Sequence, residues 1–118
     1  MYVDGFVVPV PKAKLDAYKQ MATKAAALWR EHGALEFKEC VADDVPMGEV
    51  TSFPRSVQAT DDETVVFSWI SYDSRADRDR VNEAVMADER MKAMMDPDDA
   101  PMDSKRMFFG GFEVIVDG

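Results

Sequence analysis

Cysteine and histidine occur once each in this chain of 118 residues, glycine and proline six times each, and no long apolar run is present. Cys40 alone cannot close an internal disulfide or supply a multi-cysteine metal centre, which fits a reducing compartment. No stretch approaches the roughly 20 apolar residues that a membrane-spanning helix needs. Met1–Gly5 lacks the basic start and small-residue cleavage site of a secretory leader, so a cytoplasmic location is expected. A basic surplus is also missing: 14 Lys and Arg stand against 23 Asp and Glu, for a net charge of −9. The imbalance is confined to two segments, 43–63, where six acids face Arg55 alone, and 96–103, with four acids and no base. Without a Lys/Arg stripe to release counterions from a phosphate backbone, nucleic acid is disfavoured as a partner. Neither acidic segment has the D-x-D-x-D-G spacing of a calcium hand, and no metal site is expected.

What the chain has is 47% hydrophobic residues in clear patterns, enough at this length for one domain with its own core. The organising stretch is Thr64–Asp73, β-branched and aromatic at nearly every position and free of Gly and Pro. Val65, Phe67 and Trp69 point one way and Val66, Ile70 and Tyr72 the other. A strand wetted on one side would alternate apolar with polar, so this one is expected at the centre of a sheet covered on both faces.

Tyr2–Val10 reads as a first strand, with Pro11 opening a helix through His32 whose apolar positions Leu15, Tyr18, Met21, Ala22, Ala25, Leu28 and Trp29 recur every three or four residues. Gly33 closes it. Leu35–Ala42 alternates weakly and suits an edge strand. Residues 44–62, with Pro46, Gly48 and Pro54, form a long connection whose Val50, Phe53 and Val57 suggest a flap. Ser74 caps a second helix running to about Met91, with Ala76, Val81, Ala84 and Val85 as its buried stripe. Pro97 and Pro101 bracket an acidic turn. Arg106–Val116 is the last strand, with Gly110-Gly111 marking a bulge or a close backbone approach. The order β-α-β-β-α-β is the split βαβ arrangement of a ferredoxin-like α+β fold, with an antiparallel sheet carrying two helices on one face. Its other face, being apolar, calls for a partner, and a homodimer by sheet-to-sheet packing is expected.

Four segments, Gly33–Cys40, Phe53–Val57, Glu63–Ile70 and Ser74–Asp79, together resemble the YbaA-like family of bacterial proteins of unknown function, over nearly the full length. That family is placed in the dimeric α/β-barrel superfamily, and the resemblance implies two sheets closing a barrel with helices outside. The superfamily includes cofactor-free monooxygenases, haem-degrading and haem-binding enzymes and lactone isomerases, so it supplies a fold and a range of chemistries without choosing among them. Its haem-degrading branch pairs a third-strand Trp, which Trp69 resembles, with a His on the next helix. Ser74–Met91 contains no His, and no cofactor is expected.

The candidates for proton transfer are His32, the lone histidine at the end of the first helix, and Asp4 and Glu113, acids inside otherwise apolar strands with Arg106 and Lys38 as possible partners. Trp29, Trp69, Phe53 and Phe109 are the candidate ligand contacts. Six of the nine methionines fall between Met86 and Met107, where they either line an adaptable pocket or fill an irregular core. The leading expectation is a protein that binds or transforms a small, partly apolar or aromatic molecule between sheet and helices. The alternative is a non-catalytic homodimeric interaction module acting through the acidic loop 44–62.

Overall fold

Strand β3 (Glu63–Tyr72) lies inside a four-stranded antiparallel sheet of order β2-β3-β1-β4 in a computed structural model that describes residues 1–95 and 100–118. The partners are β1 (Tyr2–Pro11), β2 (Glu36–Val41) and β4 (Phe108–Glu113). β1 pairs with β3 along its whole length, from Tyr2 opposite Tyr72 to Pro11 opposite Glu63. β2 holds the edge position that its weak alternation predicts. The acidic turn expected around Pro97 lies outside the described residues.

Among the described residues, three helices cover one face: α1 (Leu15–His32), α3 (Arg75–Ala87) and the short α4 (Glu89–Met94). A single 3₁₀ turn, Lys12–Lys14, leads into α1, so Pro11 ends the strand and does not begin the helix. Gly33 ends α1 at φ 121°, and its N–H returns to the carbonyls of Trp29 and Arg30. This is a backbone state that side chains resist. Under the helices, Val8, Val10, Val66, Ile70, Tyr72, Val81 and Val85 are buried, each worth on the order of 1.5–3 kcal/mol for its aliphatic or aromatic surface.

The second helix departs from expectation in two ways. It breaks at Asp88, whose extended backbone and side chain cap α4 by accepting from the Arg90 N–H. Ala76 is exposed, because the face that meets the sheet runs through Arg78, Val81, Asn82 and Val85. Ser74 caps α3 as read, its hydroxyl accepting from the Asp77 N–H at 3.1 Å.

The connection 43–62 crosses the opposite face of the sheet and contains one turn of helix, α2 (Phe53–Ser56). Val57, 1% exposed, packs on Val7 and Val65 and pins it there. Arg106 fastens the end of the flap: it donates to the carbonyls of Val57 and Gln58 and forks onto Glu63 at 2.8 and 2.5 Å. Arg106 is therefore committed to Glu63 and Asp103, and is not a partner for Asp4 or Glu113. The last strand is shorter than read, and its glycines form no bulge, since Gly110 and Gly111 stand in register with Gly5 and Asp4. The close approach is real. A Cβ on Gly111 would collide with the Tyr2 hydroxyl and come within 2.5 Å of Arg78 Nη2.

Candidate functional site

A cavity of about 540 Å³ lies between the helix-side face of the sheet and the helices. Its floor is laid by alternate residues of paired strands: Asp4, Phe6 and Val8 from β1, Ser68 and Ile70 from β3, Phe37 and Glu39 from β2 and Phe109 from β4. Tyr18, Met21 and Trp29 of α1 and Arg78, Asn82 and Met86 of α3 form the walls. All six methionines of the 86–107 cluster border it, with Met91 and Met94 brought there by α4 and Met95 as the residue that ends it. Long, unbranched thioether chains suit an adaptable apolar wall, and the volume suits a drug-sized molecule.

Polar groups enter the cavity at two places. In the first, Asp4, 4% exposed, accepts from Arg78 Nε at 3.0 and 3.2 Å and from the Tyr72 hydroxyl at 3.1 Å. Burial and then the Asp4 charge push the Tyr72 phenol well above its ordinary range, so it remains a donor. Asn82 Oδ1 lies 3.3 Å from the same hydroxyl and accepts from the Trp29 indole at 3.1 Å. Arg78 also donates through Nη1 to Asp79 at 2.8 Å and lies over the Tyr2 ring at 5.2 Å. In the second place, Glu39 accepts from the Tyr18 hydroxyl at 2.7 Å, with the Ser68 hydroxyl beside it. Glu39 is exposed as a residue on the edge strand, yet desolvation of its carboxyl raises its proton affinity more than these two donors lower it. Across β3, Asp4 and Glu39 are two strand spacings and two residues apart, roughly 12 Å.

Of the residues singled out in the sequence, Asp4, Trp29 and Phe109 meet at this cavity. His32 does not: its Nε2 is 2.9 Å from Asp88 Oδ2, where Arg90 also binds Asp88 and Glu31. Arg90 and then His32 hold the Asp88 carboxyl well below its usual range. Glu31, His32 and Asp88 are close enough to hold a cation, but both acids are already engaged by Arg90, and the group ties α4 to the end of α1. Glu113 is exposed on edge strand β4. Trp69 and Phe53 lie across the sheet, on the flap side, where Phe67 packs within 6.0 Å of both rings. The alternation of β3 puts Trp69 there, so Trp69 and Phe53 do not line the helix-side cavity. Cys40 and Phe53 border a smaller hollow of about 250 Å³ on that side.

Sequence reading missed Arg78, Asn82, Tyr18, Glu39 and Ser68. A signal existed for two of them. Glu39 is an acid on the same strand face as Phe37, and Asn82 is an uncharged polar residue one turn after Arg78 on the face that holds Val81 and Val85.

Residues 1–104 match the family model described as "Protein of unknown function (DUF1428)". The chain belongs to the DUF1428 family. It is 54% identical over 116 residues to "Uncharacterized protein YbaA" of Escherichia coli strain K12, covering 98% of this chain and 97% of that one, and equally so to the protein of the same description from Shigella flexneri. Among solved structures, this DUF1428 chain superposes on an uncharacterized NIPSNAP domain protein from Burkholderia xenovorans with a TM-score of 0.62 at 14% identity, over 97% of this chain and 94% of the other. A dimeric ferredoxin-like protein from an uncultured marine organism gives 0.57 at 9% identity, over 99% and 98%. At such identities these likenesses establish the ferredoxin-like fold alone.

Proposed function

We propose that the DUF1428 cavity binds a small, partly apolar, ring-containing molecule and that the chain works as a cytoplasmic homodimer. The observation that carries the first part is the lining: a drug-sized hollow walled by methionines and aromatic rings, with a few fixed polar groups converging on it. If the bound molecule is transformed, the chemistry that suits these walls is cofactor-independent oxygenation or isomerisation, for which a side chain must move a proton. Glu39 is better suited to that than Asp4, whose two oxygens are held by Arg78 and Tyr72. His32 and Glu113, away from the cavity, are better assigned to structure and surface.

The dimer reading rests on the outer face of the sheet, where Phe108 and Phe112 stay exposed and Phe67 is only partly covered by Phe53 of the flap, and on the dimeric ferredoxin-like neighbour. A second reading, an interaction module acting through the flap, draws on Val50, 94% exposed, and on Met47 and Phe53 near it. Native mass spectrometry of freshly purified protein tests these readings together. A dimer carrying a retained small molecule is expected. A bare chain that also shows no thermal shift with any member of an aromatic compound panel would remove the ligand reading, and a stable monomer at micromolar concentration would remove the dimer.

A further inference from the structure

The Trp29 indole has a hydrogen to give and no lone pair to offer, so the group that Asn82 turns toward it must be the amide oxygen. The Tyr72 hydroxyl lies against that same oxygen. With Oδ1 turned to the Trp29 N–H, the Asn82 NH₂ is the other end of the amide. It lies on a cavity-lining residue that is only partly buried, and it donates to no group among the described residues. Asn82 Nδ2 is thus an oriented, neutral donor at the cavity wall, unpaired among the described residues.

The other donor at this end is Arg78, and its charge is already spent. Its Nε faces both oxygens of Asp4 and its Nη1 binds Asp79, so two carboxylates match its one charge, while its Nη2 lies beside Gly111 and donates to no group among the described residues. An anionic ligand here would meet the Asp4 carboxylate beside Arg78 and Glu39 across the floor, with no surplus positive charge to hold it. An ammonium group would face the Asn82 donor and find the near carboxylate covered by Arg78 and Tyr72.

We infer that the cavity selects a neutral, largely apolar ring compound bearing a carbonyl-type oxygen, which accepts a hydrogen bond from Asn82 Nδ2. This rests on the ligand-binding reading above and adds the class of ligand to it.

The test compares four naphthalene probes by Trp fluorescence or calorimetric titration: a naphthyl methyl ketone, ethylnaphthalene, naphthoate and naphthylmethylamine. The ketone should bind about tenfold more tightly than its ethyl counterpart, the effect of one well-placed buried hydrogen bond. Asn82→Asp keeps an acceptor for Trp29 and removes the donor, so it should abolish the ketone preference, read as the ratio of ketone to ethylnaphthalene affinity within the same variant. Equal affinity for ketone and ethyl probes in the native protein overturns the inference without need of a variant. Tightest binding by naphthoate or the amine also overturns it, as does an undiminished ketone preference in Asn82→Asp. Failure of all four probes removes the ligand-binding reading itself, an outcome distinct from binding without preference.

Discussion

On the helix side of the sheet, Val8, Val66, Ile70 and Tyr72 are buried under α1 and α3, and the space left over is a cavity walled by methionine. On the outer side, Val7 and Val65 are buried only where Val57 of the flap reaches them, while Phe67, Phe108 and Phe112 remain exposed. The two faces are built from comparable apolar residues of the same strands. Their difference shows that a strand's sequence states how much surface must be covered, whereas the connections decide what covers it. The helix side is closed by long amphipathic elements and braced by a buried ion pair. The outer side has one loop turn held by Val57 and Arg106, and its remainder is where a second copy is proposed to dock.

The brace on the helix side gives the largest expected effect. Asp4→Ala leaves the mostly enclosed Arg78 guanidinium and the Tyr72 hydroxyl without their shared carboxylate, and should lower unfolding stability by about 3 kcal/mol in urea titration. Glu113→Ala on the exposed edge strand should change it by less than about 0.5 kcal/mol. Equal costs at the two sites would mean that Asp4 is not a brace. Next comes the pin of the outer face: Val57→Ala should cost about 1–2 kcal/mol and speed hydrogen exchange in the flap, with α1 and α3 amides unchanged.

Acid should weaken the same pin. The Arg106 fork, followed by the Thr60 N–H, holds the Glu63 carboxyl down to about 2 from its ordinary 4.5. Because the folded-state value is the lower one, the unfolded chain takes up the proton first as pH falls. The stabilisation is complete above about 4.5 and is lost between there and about 2. Glu63→Gln should flatten this limb of the stability-against-pH curve, and a curve of unchanged slope would assign the acid sensitivity elsewhere. The smallest effect on the fold itself is expected at Phe112, 65% exposed in the single chain. Phe112→Ser should leave monomer stability within about 0.5 kcal/mol, yet weaken dimerisation tenfold or more in sedimentation equilibrium. An unaltered dimer would place the interface away from this part of the outer face.

Much of the architecture was legible residue by residue. The unbroken run of β-branched and aromatic residues from Thr64 to Tyr72 announces an interior strand, the three-and-four spacing from Leu15 to Trp29 announces α1, and Ser74 announces the start of α3. Less legible was the split at Asp88, because Asp is tolerated within a helix and becomes a cap only when α4 must turn to meet α1 through His32 and Arg90. At the site, Trp29 and Phe109 were recognisable as apolar anchors, and Asp4 as an acid in an apolar strand. Asp4's true partner was not, since Arg78 lies 74 positions away and reads locally as one member of a solvent-facing charged row.

The amino-acid sequence by itself determined the order of strands and helices, the faces each strand presents, the edge place of β2 and the concentration of methionine in one segment. These follow from local periodicity and backbone preference, which neighbouring residues encode together. The tertiary structure decided which acid pairs with which base, that Trp69 and Trp29 fall on opposite sides of the sheet, that the methionines line a hollow, and that Asn82 turns its amide oxygen to Trp29 at the wall of that hollow. Each of these depends on groups distant in the chain meeting at hydrogen-bond range, and no local pattern specifies such a meeting.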